Sequence, residues 1–298
     1  MPLLVESVPN FSEGRRPDVI QAIAAEYGSV EGARVIDLSS DADHNRTVVT
    51  LVGSPEAVSE ALFRGIAKAA NLIDMTSHEG EHPCIGATDV VPFIPISGIG
   101  MADCVGLARS LARRVSSELG IPTYLYAEAA ARPDRVVLAE IRKGNYPGLK
   151  ADLEAGKADR LPDFGPATLG PAGATVIGAR QFLIAYNLYL TTGDVEIAKA
   201  IAKAVRHSSG GMRHLQAMGV LVEGRAQVSM NLLDYTKSPL ARVTELVRRE
   251  AARYGVGIQS AELIGLIPQQ ALLDAAQWYL QLDNLKPESV LEWHLAGK

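Results

Sequence analysis

Short apolar runs with strand-like spacing alternate with longer stretches of helical spacing along this chain. Residues 3–8 read as a strand, and Pro9-Asn10-Phe11-Ser12-Glu13-Gly14 reads as a turn. Residues 18–27 have helical spacing (Val19, Ile20, Ile23, Ala24, Tyr27), and Gly28 and Gly32 stop the helix. Strands follow at 34–38 and at 45–52, the second rich in β-branched residues. Pro55 opens a helix that runs to about residue 72, and a strand occupies 90–96. The order is β-α-β-β-α-β. The second half repeats it, with a strand at 181–190, a helix at 194–205, strands at 216–222 and 226–233, a helix at 239–254, a strand at 257–266 and a terminal helix at 269–279.

Two such runs predict an α+β fold of two ferredoxin-like (βαββαβ) subdomains in tandem, with helices packed on antiparallel sheets. The expected boundaries are 1–176 and 177–298. No residue pattern is shared between the halves, so the repeat is one of topology. Between them lie a helix at 102–119, a strand at 123–127 and a looser stretch. Residues 161–174 of that stretch hold three prolines and three glycines, which exclude a regular helix or central strand. An interdomain linker and a binding loop both fit this composition.

Composition narrows the function classes. The chain has 298 residues, 47% hydrophobic, which suffices to bury roughly 75% of the unfolded surface without a disulfide or structural metal. The net charge of -5 argues against a nucleic-acid partner, yet an acidic total still permits a local positive pocket. Two cysteines, Cys84 and Cys104, do not make a disulfide framework and fit a reducing, cytoplasmic setting. The N-terminus lacks a signal-peptide pattern and no apolar run is long enough to span a membrane.

Three polar clusters carry candidate chemistry. Ser77-His78-Glu79-Gly80-Glu81-His82-Pro83 sets two histidines within five residues, and imidazole is the usual proton carrier near neutral pH. A solvated loop is the plain reading of the same residues. His78 and His82 also spell the His-Glu-x-x-His zinc pattern, which works only on a helix. Gly80 costs about 1 kcal/mol of helix propensity, and Pro83 pushes His82 out of the α region. A zinc hydrolase through His78 and His82 therefore stays an alternative that the helix rules disfavour, and no metal is expected. Ser39-Ser40-Asp41-Ala42-Asp43-His44-Asn45-Arg46 is ordinary turn chemistry. Arg46 would also suit a substrate carboxylate, because its planar fork matches two oxygens. Pro9 to Arg15 lies between a strand and a helix, where free amides can hold an anion, although a capped turn is commoner. Asn10, Ser12, His44, Asn45 and Arg46 are the candidate substrate contacts.

These clusters also carry a family resemblance. Val-Pro-Asn-Phe-Ser-Glu-Gly-Arg at 8–15, Asp-His-Asn-Arg-Thr-Val at 43–48, Leu-Ile-Asp-Met at 72–75 and Gly-Glu-His-Pro at 80–83 resemble glutamate formiminotransferases. So do Gly-Ala-Thr-Asp-Val-Val-Pro-Phe-Ile-Pro at 86–95, Pro-Thr-Tyr-Leu-Tyr at 122–126, Pro-Asp-Phe-Gly-Pro at 162–166, Gly-Ala-Arg at 178–180 and Gln-Val-Ser-Met-Asn-Leu at 227–232. The likeness runs in collinear order over nearly the whole chain.

The resemblance implies transfer of a formimino group from N-formimino-L-glutamate to N5 of tetrahydrofolate, a late step of histidine breakdown. It implies a cytoplasmic homodimer of two ferredoxin-like subdomains, with tetrahydrofolate as co-substrate. Its catalytic histidine falls on His82. Its folate loop falls on Gly165, Pro166, Ala167, Thr168, Leu169, Gly170, Pro171, Ala172 and Gly173. That loop is one residue shorter than in animal members and lacks their tryptophan. Ser39 stands where they carry an aspartate, with Asp41, Asp43 and His44 close by in sequence. Animal members fuse this module to a cyclodeaminase; here the chain ends at Lys298, so that step is expected from a separate protein. A formyl transferase and a non-catalytic folate-binding relative are the other readings the residues leave open.

Overall fold

The computed structural model describes residues 2–295. The chain divides into two compact units, Met1–Gln181 and Phe182–Lys298.

In the first unit the elements are β1 (Leu4–Ser7), β2 (Asn10–Phe11), α1 (Pro17–Gly28), β3 (Ala33–Asp41), β4 (Arg46–Gly53), α2 (Pro55–Leu72), β5 (Thr88–Ser97), α3 (Met101–Leu119), β6 (Thr123–Ala127), α4 (Leu138–Ile141), α5 (Asn145–Glu154) and β7 (Thr175–Ala179). β1 and β2 form one interrupted line between β4 and β5, antiparallel to both. The break falls at Pro9, which has no N–H to donate, although its carbonyl still accepts from the Val49 amide. β3 pairs with the far side of β4, and β7 and then β6 extend the sheet in parallel from β5. The β5–β1–β4–β3 order is the ferredoxin-like arrangement read from the sequence, enlarged by two strands.

Both faces of this sheet are covered where the site lies. On one face α1, α2 and α3 contribute Ile23, Tyr27, Leu62, Ile66, Leu111 and Val115 to the main core. Gly65 lets α2 approach the Tyr27 ring, which a Cβ there would strike. On the β5–β7–β6 part, Ile141, Leu149 and Leu153 of α4 and α5 close a smaller core over Val90, Tyr124, Tyr126 and Val176. Ser54 caps α2 by accepting from the Ala57 amide at 3.3 Å, with Pro55 in the first turn.

The second unit contains β8 (Ile184–Leu190), α6 (Val195–Val205), β9 (Leu215–Val222), β10 (Arg225–Leu232), α7 (Leu240–Ala252), β11 (Ile258–Ile264), α8 (Gln269–Leu280) and α9 (Leu291–Leu295). Its antiparallel sheet has the order β11-β8-β10-β9, again ferredoxin-like. Ile201 and Val205 of α6 and Val243 and Val247 of α7 pack on Leu188, Val228 and Leu232. Among the described residues no helix is long and apolar enough to cross a membrane.

Several local expectations change. Asn10–Phe11 is strand and not part of a turn, because both residues pair with β4 and β5. The strand expected from residue 181 begins at Ile184. The apolar run before it is the separate strand β7, buried between β5 and β6 and lacking the alternation that marks a half-exposed strand. α5 escapes a composition reading because Pro147 and Gly148 lie inside it. Residues 161–174 belong to the first unit, so they are no interdomain linker.

Candidate active site

Three loops of the first unit meet around Asn45. This residue closes the β3–β4 hairpin at a φ of 47°, a left-handed conformation that asparagine tolerates better than most side chains. Its buried Oδ1 accepts from the Gly14 amide at 2.9 Å, and its Nδ2 donates to the Glu79 carbonyl at 2.8 Å. Nδ2 also lies 3.4 Å from Nδ1 of His78. The Thr47 hydroxyl donates to the Glu13 carbonyl at 2.5 Å. A Cβ on Gly14 would collide with the Asp41 carbonyl, and one on Gly80 with the His44 carbonyl. The β2–α1 loop, the hairpin and the segment bearing His78 and His82 are therefore packed backbone against backbone.

Ser12 continues the same seam. Its buried hydroxyl donates to the Gly86 carbonyl at 2.8 Å, and its amide donates to the Ala87 carbonyl at 2.9 Å. On the other side of this segment the Ala87 amide donates to the Ala172 carbonyl. The Met75 amide donates to the Pro171 carbonyl, the Ala174 amide to the Ile85 carbonyl, and the Tyr146 hydroxyl to the Gly170 carbonyl. Gly165 and Gly173 mark the ends of the loop with φ values of 94° and 69°, which glycine adopts at little cost. Leu169 packs inward, while Pro166, Ala167 and Thr168 are exposed. A glycine- and proline-rich loop thus leans on the segment that begins just after His82.

Residues 77–87 contain no helical turn, as Gly80 and Pro83 require. His82 is half-buried on this segment. Burial pushes its pKa down to about 3, helped by the charges of Arg142 and Arg46 and by the neighbouring His44 and His78. Burial also lowers His78. His82 is therefore a neutral imidazole at pH 7.

The positive charge around it is built from two strands and a short helix. Arg46 opens β4, and Arg142 caps the C-terminus of α4. Asp89, 1% exposed on β5, ion-pairs with Arg142, and its other oxygen accepts from the Ile85 amide at 2.9 Å. Burial pushes the Asp89 pKa up, and Arg142 acts against that shift. The Tyr146 amide donates to the Cys84 carbonyl at 2.9 Å, which holds the α4–α5 region against the residues that follow His82. The Nε atoms of Arg46 and Arg142 are buried, and neither has a hydrogen-bond partner among the described residues.

The other candidates fall as follows. Asn10 is half-buried in β2 with Nδ2 donating to the Val8 carbonyl. His44 is exposed at the hairpin tip, 3.0 Å from Asp41. The amides expected to hold an external anion before α1 are taken by Glu13, whose Oε1 accepts from Arg15 and Arg16. Burial raises the Glu13 pKa, but these amides and the Arg16 guanidinium outweigh it and leave the carboxyl below its usual range. An open cleft of about 310 Å³ beside the site is lined by Glu13, Arg16, Asn45, Asp74, Ser77 and His78. Asp89 and Arg142 were missed by the sequence reading. The available signal was a carboxylate at the head of an apolar strand, which demands a partner once buried.

Comparison with known proteins places the chain in a family. A family model described as the formiminotransferase domain, N-terminal subdomain, matches residues 4–180, and one described as the formiminotransferase domain matches 185–292. A glutamate formimidoyltransferase of Thermoplasma acidophilum is 49% identical over 97% of this chain and 96% of its own length. One from Streptococcus pyogenes serotype M1 is 45% identical over 100% of both. A formimidoyltransferase-cyclodeaminase of Mus musculus is 43% identical over 96% of this chain but only 54% of its own. With family models covering both units and relatives matched from end to end, this chain belongs to the formiminotransferase family.

Proposed function

We propose that this protein is a glutamate formimidoyltransferase. It moves the formimino group of N-formimino-L-glutamate to N5 of tetrahydrofolate and releases L-glutamate. The observation that carries the reading is His82, an imidazole kept neutral beside Arg46 and Arg142 and next to a pinned glycine- and proline-rich loop. The full-length similarity to relatives of that name supports it.

The chemistry follows from the groups present. The N5 amine attacks the formimino carbon, and a tetrahedral intermediate forms. The attacking nitrogen becomes cationic and loses its proton to His82. The same imidazolium returns a proton to the glutamate nitrogen as the old C–N bond breaks, so His82 ends as it began. General-base help of this kind contributes about 10²–10⁴-fold, and alignment of two substrates contributes the rest through proximity. A base with a pKa of about 3 accepts protons poorly. The carboxylates of bound formiminoglutamate offset the arginine charges and move His82 toward the range where it works best.

In this reading Arg46 binds a substrate carboxylate. Ser12 and Asn45 hold the loops, with Asn10 and His44 at their edges. Gly165 to Gly173 borders the folate. The protein acts as a cytoplasmic homodimer, without a metal, and passes its product to a cyclodeaminase.

The test is a transfer assay on purified protein with tetrahydrofolate and N-formimino-L-glutamate, run beside the formyl counterpart. Folate product and free glutamate should appear together in the formimino reaction. Folate binding without transfer would mark a non-catalytic relative, and preference for the formyl pair would mark a formyl transferase.

A further inference from the structure

We propose that Arg142, held in place by Asp89, is a second ligand for the substrate's α-carboxylate and forms a two-arginine clamp with Arg46 beside His82. The inference rests on the proposed reading only for the identity of the substrate. Its own basis is the arrangement of charge.

Arg142 and Asp89 lie 53 residues apart, on different elements, yet form an ion pair with side-chain exposures of 13% and 1%. Asp89 is fixed from its other oxygen by the Ile85 amide, and Tyr146 ties the start of α5 to Cys84. The guanidinium is thereby aimed from a rigid frame. One carboxylate leaves part of the Arg142 fork unused, since a guanidinium carries five donors. Among the described residues its buried Nε has no partner, and neither has that of Arg46. Asp89 is the buried carboxylate that acts on both arginines, while Asp41, which also acts on Arg46, is exposed on the hairpin, so the inner part of the site holds two guanidinium groups and one carboxylate.

A half-buried pair of guanidinium groups with free planar donors matches a carboxylate, which accepts two parallel N–H bonds from each guanidinium. Formiminoglutamate has two carboxylates. The α-carboxylate is attached to the carbon that bears the reacting nitrogen, whereas the γ-carboxylate lies two methylene groups further away. Arginines that act on the His82 imidazole itself must therefore face the α-carboxylate. This assigns Arg142 to ground-state binding and to orientation of the formimino carbon, and it gives Asp89 the part of a positioning residue.

The test is titration calorimetry on the full-length protein with two unreactive probes, N-formyl-L-glutamate and N-formyl-4-aminobutyrate, which lacks only the α-carboxylate. The wild-type protein should bind the first about tenfold or more tightly than the second, the value of a charge-assisted bidentate pair. Arg142→Lys keeps a charge opposite Asp89 and should reduce that preference. The neutral pair Asp89→Asn with Arg142→Gln removes both charges of the ion pair and should reduce the preference further, to what Arg46 alone supports, with folding checked by thermal melting. Folded variants that keep the wild-type preference overturn the proposal, and so does a wild-type protein that shows no preference or binds neither probe. The transfer assay on the wild-type protein reports separately on the formimino reading, so either can fail without the other.

Discussion

The side-chain amide of Asn45 donates to the backbone carbonyl of Glu79, three residues before His82, at 2.8 Å. The hairpin tip thereby sets the path of the segment that carries the base. Asn45→Ala removes this bond and the one from Gly14, and it places a less suitable residue in a left-handed conformation. The expected loss of stability is about 2–4 kcal/mol, with a fall in kcat beyond what unfolding explains. Asn45→Asp keeps the acceptor for Gly14 but loses the donor to Glu79, so it should retain more stability than the alanine variant while still losing turnover. Urea denaturation and steady-state kinetics on both variants check this.

Glu6 gives a pH signature for the first unit. It is 2% exposed in β1, and burial raises its pKa from 4.5 to about 7 against the pull of Arg180. The folded state therefore holds a proton that the unfolded chain releases between those values. Stability from this group is fully present below 4.5 and is lost as pH rises toward 7 and above. Glu6→Gln should remove that slope and make the protein about 3 kcal/mol more stable than wild type near pH 8. Equal slopes in the two proteins across that window would contradict the assignment.

The depressed pKa of His82 separates two pH profiles. In the free protein His82 stays neutral down to about pH 3, so its protonation should not reduce kcat/KM between pH 7 and 5. With substrate carboxylates in place the imidazole gains affinity for protons, so the acid limb of kcat should lie at higher pH. Steady-state rates measured across that range decide it. Acid limbs near the ordinary value of 6.5 in both profiles would show that neither burial nor the arginine charges hold His82 down.

Much of this was legible in the residues, for physical reasons that differ by element. The β-branched run of β4 and the proline-led α2 announce themselves locally. Gly80 and Pro83 rule out a helix at His82 from composition alone, and the structure shows an irregular segment there. Arg142 was not legible. It lies in the α4–α5 region, and its relation to Asp89 arises only when the sheet brings distant segments together. The same holds for Asn45. A turn near it was readable, but the strand expected from residue 45 begins at Arg46, and its left-handed conformation and its bonds to Gly14 and Glu79 depend on two loops folding against it. β7 was hidden because a strand buried between two parallel neighbours carries no polar face to mark its period.

The central claim is that His82 is the base of the transfer, and a His82→Ala protein tests it most directly. Tetrahydrofolate binding should be retained in equilibrium titration, because the 165–173 loop is held by backbone bonds that the substitution leaves alone. Turnover with N-formimino-L-glutamate should fall by about 10²–10⁴-fold, the usual contribution of a positioned general base. Near-wild-type turnover in a folded, folate-binding His82→Ala protein would contradict the account.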